Sequence, residues 1–282
     1  MRTLILTLSC DDRIGIVADV ANFLARHDCN IEDSAQFGDK ATERFFMRVA
    51  FQVPDQLQIG TLRAAFADIA SRYGMAFDLF DQAAKTPTLI MVSRLGHCLN
   101  DLLFRVKIDA LPIDVRAIVS NHTDLEGPAR SAGIPFHHLP VTPETKPQQE
   151  AALDRLVMES GAELIVLARY MQVLSSDFCA RYPGRIINIH HSFLPSFKGA
   201  RPYQRAHERG VKLIGATAHY VTADLDEGPI IEQAVGRVEH NNTAEDLVAV
   251  GRDIETQVLA RALKWRAERR ILLNGHRTVI FK

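Results

Sequence analysis

The pattern of apolar and polar positions in the first part of the chain predicts a small alternation of strands and helices. Strict alternation over residues 3–8 predicts a strand, because successive side chains of a strand point to opposite faces. Apolar residues recur at helical spacing over 16–24 and over 59–73, where Gly74 is a typical helix end. Three further strands are predicted, at 30–37, 42–53 and 75–80.

From about residue 84 the pattern changes to continuous apolar strands separated by helices, which is typical of a parallel sheet covered on both faces. The predicted strands are 89–93, 115–119, 164–167 and 186–190, and the predicted helices are 97–107, 125–132 and 147–160. Strands 214–221 and 230–238 follow without a helix between them, so we expect antiparallel pairing in this last part of an otherwise parallel sheet. A helix over 243–268, a turn and a short strand over 275–281 complete the pattern.

These patterns predict an α/β protein of two domains, as a length of 282 residues suggests. Residues 1–83 are predicted to form an N-terminal ferredoxin-like domain with the order βαββαβ. Residues 84–282 are predicted to form a doubly wound, mostly parallel, Rossmann-like domain, reached through the short polar segment 82–87.

Composition and charge exclude several classes of protein. The net charge is −1, so no basic excess predicts binding to nucleic acid or to an anionic membrane. No apolar run approaches the roughly 20 residues of a membrane span, and the N-terminus lacks the apolar core of a signal peptide. We therefore expect a cytoplasmic protein. The four cysteines form no CxxC pair, so we expect reduced, buried thiols.

The candidate chemistry lies between Arg185 and Gln233. Asn188 and His190 lie two residues apart on one predicted strand and therefore share a face. An amide and an imidazole at a strand end are suited to holding a carbonyl oxygen under attack, and Asp226 offers a carboxylate in a Gly-Pro turn. Taken singly, Asn188 could be a turn residue, His190 a buried histidine with a structural role, and Asp226 a turn former. Their combination favours catalysis.

The same residues resemble the formyltransferase family that uses 10-formyltetrahydrofolate. The family pattern is matched by Asn188, His190, Ser192, Pro195, His219 and Leu225–Pro229. Transferases usually have His-Pro where this chain has His190-His191, and the doubled histidine resembles the branch of the family that hydrolyses the same substrate, the deformylases.

The resemblance implies a hydrolase that releases tetrahydrofolate and formate, thereby balancing one-carbon pools and supplying formate for purine synthesis. Asn188, His190 and Asp226 would be catalytic. The substrate-binding residues it implies are Met171, Gln172, Val173, Leu174, His219 and Asp224. It implies no metal and no permanently bound cofactor, with 10-formyltetrahydrofolate as the substrate.

The first domain resembles an ACT domain, a small module that often binds amino acids. The matching residues are Asp12-Arg13-x-Gly15-Ile16-Val17 and Asn30-Ile31. The resemblance implies a regulatory site at Asp12, Gly15, Asn30 and Ile31, with glycine or methionine as the effector, and assembly into a homo-oligomer. The alternative is that these residues only shape turns in a domain that pairs subunits.

Three other functions remain open on the sequence. A transferase of the glycinamide ribonucleotide type needs a glycine-rich phosphate loop, whereas the segment 93–101 contains one glycine among bulky residues. A non-catalytic protein that senses folate and an amino acid would not need the three candidate catalytic residues. A zinc site built from His190, His191, His207 and His219 is disfavoured because adjacent strand residues face apart and no HExxH motif occurs.

Overall fold

The computed structural model describes residues 2–194 and 202–282 and divides into two units. The first unit contains an antiparallel sheet with two helices. Its strands are β1 (Arg2–Asp11), β2 (Asn30–Asp39), β3 (Arg44–Val53) and β4 (Ala76–Asp81), and its helices are α1 (Ile16–Arg26) and α2 (Ile59–Tyr73). The strand order β2-β3-β1-β4 is the ferredoxin-like arrangement, as predicted. Leu6, Phe51 and Phe66 belong to its apolar core.

The second unit, residues 85–267, is built on a seven-stranded sheet. Its strands are β5 (Thr86–Val92), β6 (Ile113–Ser120), β7 (Phe136–His138), β8 (Leu164–Leu167), β9 (Ile186–His190), β10 (Leu213–Tyr220) and β11 (Ile230–Arg237). The order is β11-β10-β9-β8-β5-β6-β7, parallel from β9 to β7 and antiparallel from β9 to β11. The predicted antiparallel pairing of the last strands of this sheet is therefore confirmed.

The helices of this unit are α3 (His97–Lys107), α4 (Glu126–Ser131), α5 (Lys146–Ser160), α6 (Ser176–Arg181), α7 (Pro202–Glu208) and α8 (Ala244–Ala267). The sequence predicted α3, α4, α5 and α8 but neither α6, α7 nor β7. These three elements have six, seven and three residues, too few for an apolar period to emerge. None of the helices in the described ranges is long and apolar enough to cross a membrane.

The strand order determines where a ligand can enter the sheet. The chain runs outward from β5 through β6 to β7, and then returns to the other side of β5 with β8 and β9. The crevice beyond the carboxyl ends of β5 and β8 is therefore a topological switch point, the usual binding position in such sheets. Residues 169–174 follow β8, and His190 is the last residue of β9.

The last fifteen residues belong to the first unit, although the sequence pattern assigned them to the second domain. They form a hairpin of β12 (Ile271–Asn274) and β13 (Arg277–Ile280). The side chains of Asn274 and Arg277 donate to the Asp39 carboxylate, and the Arg48 guanidinium donates to the Glu268 carbonyl oxygen. The partners lie more than 200 residues apart in the chain, so no local pattern indicates the pairing.

Candidate active site

Asn188, His190 and Asp226, which the sequence singled out, come together where β9 ends and the turn between β10 and β11 lies against it. His190 ends β9, and its Nδ1 lies 3.3 Å from Oδ2 of Asp226 in the turn between β10 and β11. The other ring nitrogen of His190, Nε2, is buried and has no hydrogen-bond partner among the described residues. An imidazole whose Nδ1 contacts a carboxylate and whose Nε2 has no other partner is suited to donating a hydrogen bond or a proton to a reacting group.

His219 orients the Asn188 amide. The register of β9 and β10 places the two residues directly opposite each other. His219 Nδ1 lies 2.9 Å from the Tyr220 carbonyl oxygen, which can only accept, so Nδ1 carries the proton. Burial lowers the pKa of His219, so the ring is neutral and its Nε2 accepts from Asn188 Nδ2 at 3.3 Å. The NH₂ group of Asn188 is thereby fixed, and its second hydrogen remains for a ligand.

Asp226 is held in an unfavourable backbone conformation. Its φ is 93°, in the left-handed region that non-glycine residues rarely adopt. A side chain at Gly228 would overlap the Tyr220 carbonyl oxygen, so only glycine lets this turn lie so close to β10. Asp226 Oδ1 lies 3.6 Å from His219 Nε2. Strain of this kind persists where surrounding contacts hold a functional group in place.

These side chains line a cavity of about 210 Å³. One wall is the segment 169–174 after β8, and the other is the turn that carries Asp226. Met171 and Val173 are 56% and 54% exposed and form an apolar surface suited to a flat ring. The predicted residues Met171, Gln172, Val173, Leu174 and His219 all line the cavity. Asp224 does not: it is exposed on the turn and outside the cavity wall, and Pro195 lies outside the described residues.

Buried hydrogen bonds hold the wall after β8. The Ser93 hydroxyl accepts from the Met171 backbone N–H at 3.0 Å and donates to Asn121 Oδ1 at 2.7 Å. At the far end of the segment, the Glu150 carboxylate accepts from the Ser175 backbone N–H at 2.7 Å and from the Ser175 hydroxyl. The backbone of the segment is therefore fixed by Ser93, which directly follows β5, and by Glu150 from α5.

His191 differs from the expectation that it faces away from His190. The strand ends at His190, so strict alternation no longer applies, and the two rings stack at 5.1 Å. His191 lines the cavity. Burial, with the positive charge of Arg169 next in effect, lowers its pKa to about 4, so the ring is neutral at physiological pH.

We expect acid to destabilise the wild-type fold more steeply than that of His191→Gln. The pKa of His191 is 6.5 when unperturbed and about 4 in the fold, so between these values the unfolded chain binds the extra proton. Stability is therefore lost as the pH falls through this window, by up to about 1.4 kcal/mol per pH unit. Urea unfolding at a series of pH values measures the slopes, and parallel curves for the two proteins would contradict the prediction.

Cys98, which follows β5, does not resemble a nucleophile. It is fully buried at the start of α3, and burial, with Glu255 nearby, raises its pKa. A thiol held in its protonated form is a poor nucleophile. All four cysteines are buried and unbridged, as expected.

The predicted regulatory residues lie on the surface of the first unit. Asp12, Gly15, Asn30 and Ile31 are all exposed. Gly15 has a φ of 100° and precedes α1, whose first turn has no side-chain cap. The exposed amide groups of such a helix start can receive a carboxylate. Asn30 and Ile31 begin β2, one of the two edge strands of the sheet.

Family models match both units. The model described as formyl transferase matches residues 87–263, and the ACT domain model matches residues 4–67. The chain is 50% identical over 281 residues to a formyltetrahydrofolate deformylase of Corynebacterium sp. (strain P-1), covering 99% of this chain and 98% of that protein. The crystal structure of a formyltetrahydrofolate deformylase from Burkholderia mallei superposes with a TM-score of 0.96 at 54% identity, covering 100% of both chains.

A glycinamide ribonucleotide transformylase from Symbiobacterium toebii is a more distant structural relative. Its TM-score is 0.66 at 33% identity, and the match covers 73% of this chain and 98% of that one. The fold and the site thus define a formyl transferase-type enzyme with an ACT domain before the catalytic unit. Within this class, the chain belongs to the formyltetrahydrofolate deformylase family, because its likeness to those proteins extends over its whole length.

Proposed function

We propose that this protein hydrolyses 10-formyltetrahydrofolate to tetrahydrofolate and formate, with Asn188, His190 and Asp226 as the catalytic residues. The observation that carries the proposal is their convergence on one cavity, with His190 Nδ1 3.3 Å from Asp226 and Asn188 oriented by His219. Family membership supports the substrate. The physiological role would be to balance one-carbon pools and to supply formate for purine synthesis.

The formyl oxygen gains negative charge when water attacks the formyl carbon, so donors aimed at it lower the barrier. The free hydrogen of the Asn188 amide is one donor, and His190 Nε2 is the other. Met171 to Leu174 and the turn before Asp226 would hold the pterin ring between them, since both line the cavity. The ring would thereby bring its formyl group to the end of β9.

The proton transfers follow from the positions of Asp226 and His190. Before the attack, the negative charge of Asp226 stabilises the protonated form of His190. Asp226 then accepts a proton from the attacking water as the new C–O bond forms. The C–N bond then breaks, and the leaving nitrogen takes the proton from His190. Formic acid releases its proton to solvent and leaves as formate, while Asp226 returns its proton to His190, which restores the starting charges.

Formate release without an amine acceptor is the decisive test of this function. Purified protein, 10-formyltetrahydrofolate and buffer should yield formate and tetrahydrofolate in equal amounts. Glycinamide ribonucleotide added to the same mixture should leave the rate unchanged and should not be formylated. A rate that depends on the amine would instead identify a transferase.

We further propose that the two units have different tasks in a cytoplasmic homo-oligomer. The first unit, which contains residues 1–83, would be regulatory, and the second, residues 85–267 of the predicted domain 84–282, would be catalytic. The exposed edge strand β2 offers unpaired backbone groups for a second copy. Glycine or methionine would bind near Gly15, where the start of α1 has no side-chain cap. Titrating each amino acid while measuring the rate of formate release tests this regulation. A rate that neither amino acid changes would contradict it.

A further inference from the structure

Arg169 is a charged residue of the cavity that the sequence did not indicate. It directly follows Ala168 after β8, has a φ of 65°, and is only 9% exposed. It lines the same cavity as Asn188, His190 and Asp226. Among the described residues of the cavity wall, it is the one arginine or lysine. Its Nε is buried and has no hydrogen-bond partner in the described part of the chain.

A buried carboxylate keeps Arg169 in place. Glu255 on α8 is 1% exposed, and its Oε2 lies 3.4 Å from Arg169 Nε. The same carboxylate is 2.7 Å from His97 Nε2 and accepts from the Tyr203 hydroxyl at 2.7 Å. Burial alone would raise the pKa of Glu255, but the His97 bond, Arg169 and Tyr203 hold it below its ordinary range.

Glu255 forms an ion pair with Arg169 but accepts no hydrogen bond from its Nε. Its two oxygens are already engaged at hydrogen-bond distance by His97 and Tyr203, while its contact with Arg169 Nε falls outside hydrogen-bond geometry. A side chain at Gly251 would overlap the Tyr203 ring, so glycine at this position of α8 lets Tyr203 reach Glu255. The cluster therefore positions a guanidinium against the cavity wall without neutralising it completely.

Besides Arg169, the described lining of the cavity offers a negative product only His190, whose positive charge in the proposed cycle is already paired with Asp226. Asp226 carries a carboxylate, Asn188 is neutral, and the lowered pKa values of His191 and His219 keep those rings neutral. Hydrolysis creates a second anion, formate, within the same small space. Two carboxylates in one small cavity repel each other unless a cation lies close to one of them.

We propose that Arg169, positioned by Glu255, forms a carboxylate subsite that receives the formate released at His190 and Asp226. A guanidinium binds a carboxylate through paired, charge-assisted N–H donors, which matches formate and does not match a neutral formyl group equally well. The subsite rests on the proposed hydrolysis, since it is the hydrolytic product that carries the charge. It would also separate formate from Asp226 before release.

The position of Arg169 favours formate over the carboxylates of a folate tail. Arg169 immediately precedes Tyr170 to Leu174, the wall that would hold the pterin ring, and it shares the cavity with the three catalytic residues. The tail of a folate is separated from the formyl group by a benzoyl ring. A cation at the end of the cavity that would hold the pterin ring and the formyl group is therefore positioned to bind formate.

Direct binding of ¹³C-formate in the presence of saturating tetrahydrofolate tests the subsite without turnover. We expect saturable broadening of the formate NMR signal with wild-type protein, and a dissociation constant raised at least about tenfold by Arg169→Gln. Arg169→Lys should keep part of the affinity. The matched control is Arg155→Gln, which removes the same charge from an exposed position on α5 and should bind formate as wild type does.

A second comparison uses wild-type protein alone and remains decisive if Arg169→Gln fails to fold. Neutral formamide should compete with ¹³C-formate at least about tenfold more weakly than unlabelled formate does. Equal formate binding by wild type and Arg169→Gln, equal competition by formamide, or phosphate displacing formate more strongly than formate itself would each overturn the proposal. Formate bound through Arg169 in a protein that releases no formate from 10-formyltetrahydrofolate would sink the proposed hydrolysis and leave the anion site standing.

Discussion

Asp226→Asn will lose nearly all formate release while still binding folate. The substitution keeps the size of the side chain but removes the charge that accepts a proton from water and that lies 3.3 Å from His190 Nδ1. A positioned base of this kind contributes about 10²–10⁴-fold to the rate. Formate release should fall by about that factor, whereas the dissociation constant of tetrahydrofolate, followed by fluorescence quenching, should change little because the cavity walls are unaltered.

Asp253→Asn is the matched control, because it makes the same chemical change at an exposed position on α8 away from the cavity. Its rate should equal that of the wild type. If Asp226→Asn retained a large share of the wild-type rate, Asp226 would not be the base. If it lost folate binding in parallel, its role would be to shape the turn.

Asn188→Ala is expected to lower kcat with little change in KM. The Asn188 amide would donate to an oxygen that becomes charged only in the transition state, so its loss should cost about 10²–10³-fold in rate, or about 2.7–4 kcal/mol. Rapid measurement of formate release over a range of substrate concentrations separates the two constants. A raised KM at unchanged kcat would show that the amide contributes to binding alone.

His219→Gln separates the amide donor from the residue that orients it. His219 accepts from Asn188 and is buried behind it, so it acts through Asn188 in this proposal. A glutamine side chain can still accept from the amide, and part of the kcat should survive. A loss as large as that of Asn188→Ala, with the fold intact by circular dichroism, would instead place His219 among the groups that contact the substrate.

Much of the fold was predictable because its information is local. The βαββαβ order followed from alternation and from helical spacing ended at Gly74, which does adopt the left-handed conformation of a helix end, with a φ of 61°. The buried parallel strands β8 and β9 were predicted at their observed bounds, since continuous apolar runs of this length have few alternatives. The short elements β7, α6 and α7 lacked any such pattern.

The candidate site was predictable in part for the same reason. Asn188 and His190 share a face because they lie two apart on one strand, and this needs no knowledge of the rest of the molecule. Asp226 was reached through a motif resemblance, and the structure supplies the distance that brings it to His190. Asp224, from the same turn, was implied by the same resemblance and is not among the residues that line the cavity.

The sequence by itself thus determined the two-domain architecture, the family and the three residues proposed to act on the formyl group. Only the tertiary structure brought Arg169 to Glu255, stacked His191 on His190 and joined the last hairpin to the first unit. The physical reason is the range of the contacts. Periodicity and motifs report neighbours along the chain. A buried ion pair between the segment after β8 and α8 depends instead on how distant elements pack, and neither segment alone indicates it.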